Sequence, residues 1–254
     1  MRKFIIILAA LALLLGGTAG ISIGEIQADE LTVKQQDLVD QIASSNRSKA
    51  EIAAKLEELR IKAESQTDSL NMDKTLEQTA LKALENIEVE EMKDKLELQS
   101  VTQQLLSTGS FGSLEYMGDN TWTWPVEGYM VVSQFYKRSH QAIDIPTKGE
   151  HPNVLAVQSG VVVRAGNMGD GYGNQVMIYH GNGVLTMYAH LKTIQAEVGM
   201  YVEEGTVVGL VGHTGWSSGD HLHFQVSASG EIEKATVNPM NYLEEWRSQL
   251  VIEK

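Results

Sequence analysis

Glycine and proline are distributed so unevenly along this chain that they divide it into two kinds of structure. From Asp29 to Gln104 there is neither residue, and the stretch is rich in Glu, Lys, Gln, Leu and Ala, a composition that favours helix. Leu38 and Ile42 share a helical face. Ile52, Leu56 and Leu59 resume one after a polar break at residues 44–48, and Leu81, Leu84 and Ile87, then Leu98, Val101 and Leu105, repeat the three–four spacing. The heptads are imperfect, so the pattern predicts a helical hairpin or irregular coiled-coil-like region with a turn at Asn71-Met72-Asp73. Beyond Trp122 the texture changes to short apolar runs bounded by glycine, among them residues 154–157, 160–163, 175–179, 184–188 and 207–211. Such runs predict an all-β domain.

The expected organisation is an α+β chain. It comprises an N-terminal export or anchor segment (1–28), a helical region (29–106), a Gly/Ser linker (107–120), a β domain (121–243) and a C-terminal tail (244–254). Arg2 and Lys3 precede an unbroken apolar run over residues 4–15, followed by small residues. That pattern fits a signal peptide cut after Ala19 or Ala28. No charge appears from Phe4 to Gly24, so an uncleaved membrane anchor fits as well. Either reading carries the rest of the chain across the membrane and leaves the N-terminal segment as its only membrane contact. A net charge of −13 without a basic block argues against nucleic acid as a partner. With no cysteine, the chain forms no disulfide, offers no thiolate to a metal and carries no lipid at an N-terminal cysteine.

Metal binding therefore falls to histidine and carboxylate. His140-Gln141-Ala142-Ile143-Asp144 and His221-Leu222-His223, with His190 between them, offer nitrogen and oxygen donors of the kind zinc takes. Residues two apart on a strand share a face, so His221 and His223 project into one groove. His140 and Asp144, four apart, suit a bend running into a strand. Three protein ligands leave a fourth tetrahedral position open, which is the catalytic arrangement, and a histidine outside the ligand set can move a proton or stabilise an oxyanion. No H-E-x-x-H is present, so the glutamate-base arrangement is excluded.

These motifs occur with others in a fixed order: Trp-Pro-Val (124–126), Gly-Tyr-Gly-Asn (171–174), His180-Gly181-Asn182-Gly183, Tyr188-Ala189-His190-Leu191, Gly209-Leu210-Val211-Gly212, His221-Leu222-His223-Phe224 and Asn238-Pro239. Over about half the chain the segment resembles the lysostaphin-type (LytM-like) zinc metallopeptidase domain. The resemblance implies a β-sheet groove holding one zinc ion, and hydrolysis of peptide bonds in the stems or cross-bridges of bacterial peptidoglycan. It also implies His140, Asp144 and His223 as zinc ligands and His190 and His221 as catalytic histidines. Non-catalytic relatives, which bind wall and activate another hydrolase, typically lose one or more of these five; all five are retained here. A protein partner recruited by the helical region belongs to that alternative. The chain departs from the family pattern at Ala142, at Phe135-Tyr136 and at Asp220. A carboxylate at 220 raises the pKa of His221 if the two touch.

Other residues carry plainer expectations. His151 and His213 read as surface or hydrogen-bonded histidines, and His180 as a turn residue beside Gly181-Asn182-Gly183. Gly171-Tyr172-Gly173-Asn174 lacks a P-loop lysine and following helix, so it reads as a tight turn on the groove wall. The loop 212–220 is expected to be flexible, and Trp122 and Trp124 to pack at the domain start. Tyr188, two before His190, shares its face either as packing or as a substrate contact. The helical region is open to three roles: spacer, inhibitory cover or docking arm.

Overall fold

A computed structural model describes residues 23–65, 70–107, 122–229 and 236–252. The proposed export segment, apart from its last few residues, and nearly all of the Gly/Ser linker lie outside the described residues. Two helices come first, α1 (Ile23–Ser65) and α2 (Leu70–Ser107). Contacts run from Lys34 to Glu97, Gln35 to Thr102, Lys49 to Glu91 and Arg60 to Glu77. Numbers rise along one helix as they fall along the other, so the pair is antiparallel. The polar residues 44–48 break the apolar face but not α1, because Ser, Asn and Arg are tolerated on a helix surface at modest cost. One expectation is corrected. Asn71-Met72-Asp73 lies within the first turn of α2 rather than in the turn before it; Asn and Asp favour helix starts as much as turns. Among the described residues, no helix is long and apolar enough to cross a membrane.

The β domain is built on a seven-stranded sheet. Its strands are β2 (Ile143–Pro146), β4 (Gly160–Asn167), β5 (Asn174–Gly181), β6 (Val184–Leu191), β8 (Tyr201–Val202), β10 (His221–Ser227) and β11 (Thr236–Val237). Spatial order is β11-β10-β6-β5-β4-β8, with β2 also on β10. Strands β3 (Asn153–Leu155), β9 (Val207–Leu210) and β7 (Thr193–Ile194) make a smaller sheet, and β1 (Val131–Val132) pairs in parallel with β12 (Val251–Ile252). The tail is thus part of the domain. Trp246 donates its indole N–H to the Trp122 carbonyl at 2.7 Å and packs beside Trp124.

Both faces of the large sheet are covered, which is why its strands read as continuous apolar runs rather than alternating ones. One face carries Val162, Val176, Ile178, Tyr188, Leu222, Phe224 and Val226 into the main core, which also takes in Trp122 and Trp124. The opposite face presents Val161, Met177, Tyr179, Leu185, Met187, Ala189 and Tyr201, and onto these pack Leu38, Val39 and Ile42 of α1 with Leu98, Val101 and Leu105 of α2. Gly199, at φ +89°, permits that docking, since a Cβ there would lie 2.7 Å from the Gln99 carbonyl oxygen of α2. The helical pair is therefore an integral layer at its base. Farther out the helices hold each other, with the buried Glu91 carboxylate bridging Lys49 and Lys95.

His180 lies buried in the sheet, on β5 rather than in the turn that follows it. One of its nitrogens faces the Ser159 carbonyl at 2.8 Å and the other the Thr186 hydroxyl at 2.8 Å. The Thr186 and Tyr188 hydroxyls are 3.2 Å apart, and Tyr188 accepts the Val157 N–H at 2.9 Å. A neutral imidazole protonated at Nδ1 satisfies the whole chain in one direction, from Tyr188 to Thr186 to His180 to Ser159. Burial pushes the His180 pKa down to about 4, against the smaller opposing effect of the Ser159 carbonyl.

Two outcomes follow for stability. Leu98→Ala empties a fully buried position under the sheet and is expected to cost about 2–4 kcal/mol in urea unfolding. His180 binds its proton more readily unfolded than folded, so stability is lost as pH falls from about 6.5 towards 4. The His180 contribution at pH 5 is a loss of roughly 2 kcal/mol relative to pH 7, which should appear as a drop in the urea midpoint between pH 7 and 5 that is smaller in His180→Gln, the remainder including the similarly depressed His190.

Candidate metal centre and groove

The antiparallel register of β2 on β10 sets Asp144 directly opposite His223, and β6 on the other side of β10 sets Ala189 opposite His223. Strand alternation sends Leu222, Phe224 and Val226 to the core and leaves His221, His223 and Gln225 on the other face. Asp144 Oδ1 lies 2.9 Å from His223 Nδ1 and 3.8 Å from His221 Nε2. His140 precedes β2 in a tight backbone exchange with Lys137 (2.8 and 2.9 Å). That bend brings its Nε2 to 3.1 Å from Asp144 Oδ2.

His190 reaches the site by a different device. On a regular strand it would share the core face of Tyr188, two residues before it. Its φ of +60° is left-handed, a conformation costly for a residue with a side chain. The reversal swings the imidazole onto the groove face, with ring centroids 4.9 Å from His221 and 5.6 Å from His223. The peptide is anchored by its N–H to the Tyr172 carbonyl at 2.9 Å, and the ring by Nδ1 to the Thr214 carbonyl at 2.8 Å. The shared face expected for Tyr188 and His190 is thereby overturned: Tyr188 is fully buried packing.

All five candidate residues are brought together. The atoms of His140, Asp144 and His223, and separately those of His190, His221 and His223, lie within 4.8 Å of one another. A tetrahedral ion with bonds of about 2.0–2.1 Å has ligand–ligand edges of about 3.3–3.4 Å, close to the 2.9 and 3.1 Å separations around Asp144. The donor set of one carboxylate and two imidazoles fits such an ion. His140 Nδ1 and His223 Nε2 are buried without a protein partner, so each ring meets the protein through the nitrogen that faces Asp144. Burial alone raises the Asp144 pKa, but the His223 hydrogen bond and the His223, His221 and His140 imidazoles outweigh it and hold the carboxylate below its usual range. The anion is thus available at neutral pH.

His190 and His221 are both pinned through Nδ1, the latter to the Gly219 carbonyl at 2.8 Å and the Ser217 hydroxyl at 3.1 Å. With Nδ1–H donating to a carbonyl, each neutral ring turns an unprotonated Nε2 towards the cluster. Burial lowers the His190 pKa to about 4, the neighbouring His221 and His223 adding to the effect and the Thr214 carbonyl opposing it. This ring is neutral at pH 7.

The cluster lies in an open groove of about 640 Å³, lined also by Gln134, Asp170, Gly171, Tyr172, Trp216, Ser217 and Ser218. Tyr172 stands 5.5 Å from the His223 ring and accepts a hydrogen bond from Gln225. Gly171 and Tyr172 do form groove wall. The loop 212–220, expected to be flexible, is tied to its neighbours: Thr214 Oγ1 accepts the Asn174 N–H at 2.9 Å and donates to the Leu191 carbonyl at 2.8 Å, and the Trp216 N–H donates to the Gly171 carbonyl at 2.8 Å. Asp220 turns to His151, at 3.4 Å, rather than to His221, because residues 220 and 221 point to opposite sides of the strand entry. His213 is exposed beside Ser217, and Trp122 and Trp124 are buried packing. Trp216 and Ser217 were missed in the sequence; a tryptophan between two glycine-rich turns was the available signal.

Comparison with known proteins agrees with the geometry. Residues 138–239 match the model of Peptidase family M23. A DD-carboxypeptidase/endopeptidase, Mpg, of Neisseria meningitidis serogroup B (strain ATCC 13091 / M2091) is 43% identical over 104 residues, 41% of this chain and 23% of that protein. The murein hydrolase activator NlpD of Escherichia coli (strain K12) is 37% identical over 127 residues, 49% of this chain and 31% of that protein. The catalytic domain of lysostaphin from Staphylococcus simulans superposes with a TM-score of 0.40 at 28% identity, covering 48% of this chain and 91% of that one. The matched region spans less than a third of either of these two curated relatives. His140, Asp144, His190, His221 and His223 all lie within residues 138–239, the segment that matches as a Peptidase family M23 domain.

Proposed function

We propose that this chain is an exported zinc metalloendopeptidase that hydrolyses peptide bonds in peptidoglycan stems or cross-bridges. The observation that carries the reading is the convergence of all five side chains in one open groove. His140, Asp144 and His223 are the proposed ligands of a single zinc ion. When bound, such an ion supplies a Lewis acid that polarises a carbonyl and makes water a better nucleophile. His190 and His221 flank it, each with an Nε2 that accepts a proton and, once protonated, donates to a developing oxyanion or to the leaving amine. Their carbonyl-anchored Nδ1 atoms fix both tautomer and direction. Export rests on Arg2, Lys3 and the apolar run that follows.

A second reading is favoured by the similarity to the activator NlpD over half the chain, together with a helical layer able to meet a partner: a wall-binding protein that activates another hydrolase. The five retained side chains favour the enzyme.

Metal content and product release separate the two. The full chain is expected to hold about one equivalent of zinc and to release new peptide termini from isolated sacculi. His223→Ala should weaken zinc binding at least tenfold by dye competition and abolish release. His190→Ala should keep the zinc and lose about 10²–10⁴-fold in turnover. Normal release by either variant sinks the assignment, and zinc-loaded wild type that releases nothing moves the weight to the activator.

A further inference from the structure

A single exposed apolar side chain needs no special account, but Trp216 differs from the other exposed apolar residues in where and how it is held. It is 87% exposed on the rim of the groove that contains the histidine–aspartate cluster. Its backbone is fixed by the N–H bond to the Gly171 carbonyl at 2.8 Å, next to the Thr214 anchors on Asn174 and Leu191. The six-membered ring lies over Gly171, where a Cβ would come within 2.8 Å of Cε3. The same short loop supplies the Thr214 carbonyl that orients His190 and the Ser217 hydroxyl beside His221. The indole is therefore presented to the groove on the rigid segment that aligns both histidines, and little entropy remains to be lost when a ligand meets it.

Groove polarity indicates what that surface receives. Apart from Asp144, one of the proposed metal ligands, the lining includes one carboxylate, Asp170, and no lysine or arginine among the described residues. Asp170, adjacent to Gly171, keeps its carboxylate near the groove while accepting from the Tyr172 N–H and Gln175 Nε2, and it stands 3.9 Å from Arg164. Its charge is thus partly offset, and the indole face is the main feature able to attract a cation. We infer that Trp216 is a specificity-determining residue whose indole forms an aromatic wall for an aliphatic ammonium side chain of the substrate peptide. This rests on the peptidase reading above and adds the class of peptide selected: one bearing a free amine on a long side chain.

The test uses the full chain with two synthetic stem-type tetrapeptides that differ only in a lysine side-chain amine, free in one and acetylated in the other. Binding is measured by calorimetry and cleavage by chromatography, for wild type, Trp216→Leu and Trp216→Phe, with circular dichroism to confirm that each variant is folded. Wild type is expected to bind the free amine about fivefold more tightly. That ratio should fall to about one in Trp216→Leu and keep an intermediate value in Trp216→Phe. Equal binding of the two peptides by wild type overturns the inference. So does a ratio that survives in Trp216→Leu, which assigns the preference to the overall negative charge. Discrimination without cleavage of either peptide sinks the peptidase reading alone; cleavage without discrimination sinks the aromatic wall alone.

Discussion

Strand β10 lies between β2 and β6, and its alternation carries both the fold and the site. Leu222, Phe224 and Val226 fill the core while His221, His223 and Gln225 face the other way. The hydrophobic residues hold the strand in register, and the register sets His223 against Asp144. A slip by one residue would bury the histidines and expose Phe224, so the apolar core specifies the polar cluster. The buried Asp144 tolerates its position because the surrounding imidazoles compensate its desolvation.

The helical pair uses the same face of the sheet. Its base covers Met177, Leu185, Met187 and Tyr201, while the groove around the histidines is lined, among the described residues, entirely by the β domain. The face is thus divided, one part sealed by helices and the other left to the cluster. This makes the helices a structural layer at their root, with Leu98 and Val101 acting as core residues. A chain lacking them would expose an apolar sheet surface, so comparisons of activity are best made on the full chain.

Much of the site was legible before the fold was known, because metal donors are few in kind and their spacing on strands has a period of two. His221 and His223 follow that period, and His140 and Asp144 flank the predicted bend. His190 could not be placed that way. Period two assigns it to the side of Tyr188, and only its left-handed backbone, held by Tyr172 and Thr214, brings it to the groove. Asp220 misled in the same manner, since adjacency in sequence puts it on the opposite side from His221 and beside His151. Trp216 was invisible as a functional residue because exposure is a property of the assembled loops.

By itself the sequence determined the division into helical and β parts, through backbone entropy and the glycine–proline pattern, and it determined which side chains could bind a metal, since chemistry resides in residue type. Tertiary structure alone decided which face each side chain occupies, that the helices seal the sheet, and that the tail returns to pair with β1. These outcomes depend on contacts between residues far apart in the chain, whose energy arises only when distant surfaces leave water together. Local pattern contains no record of that partner choice.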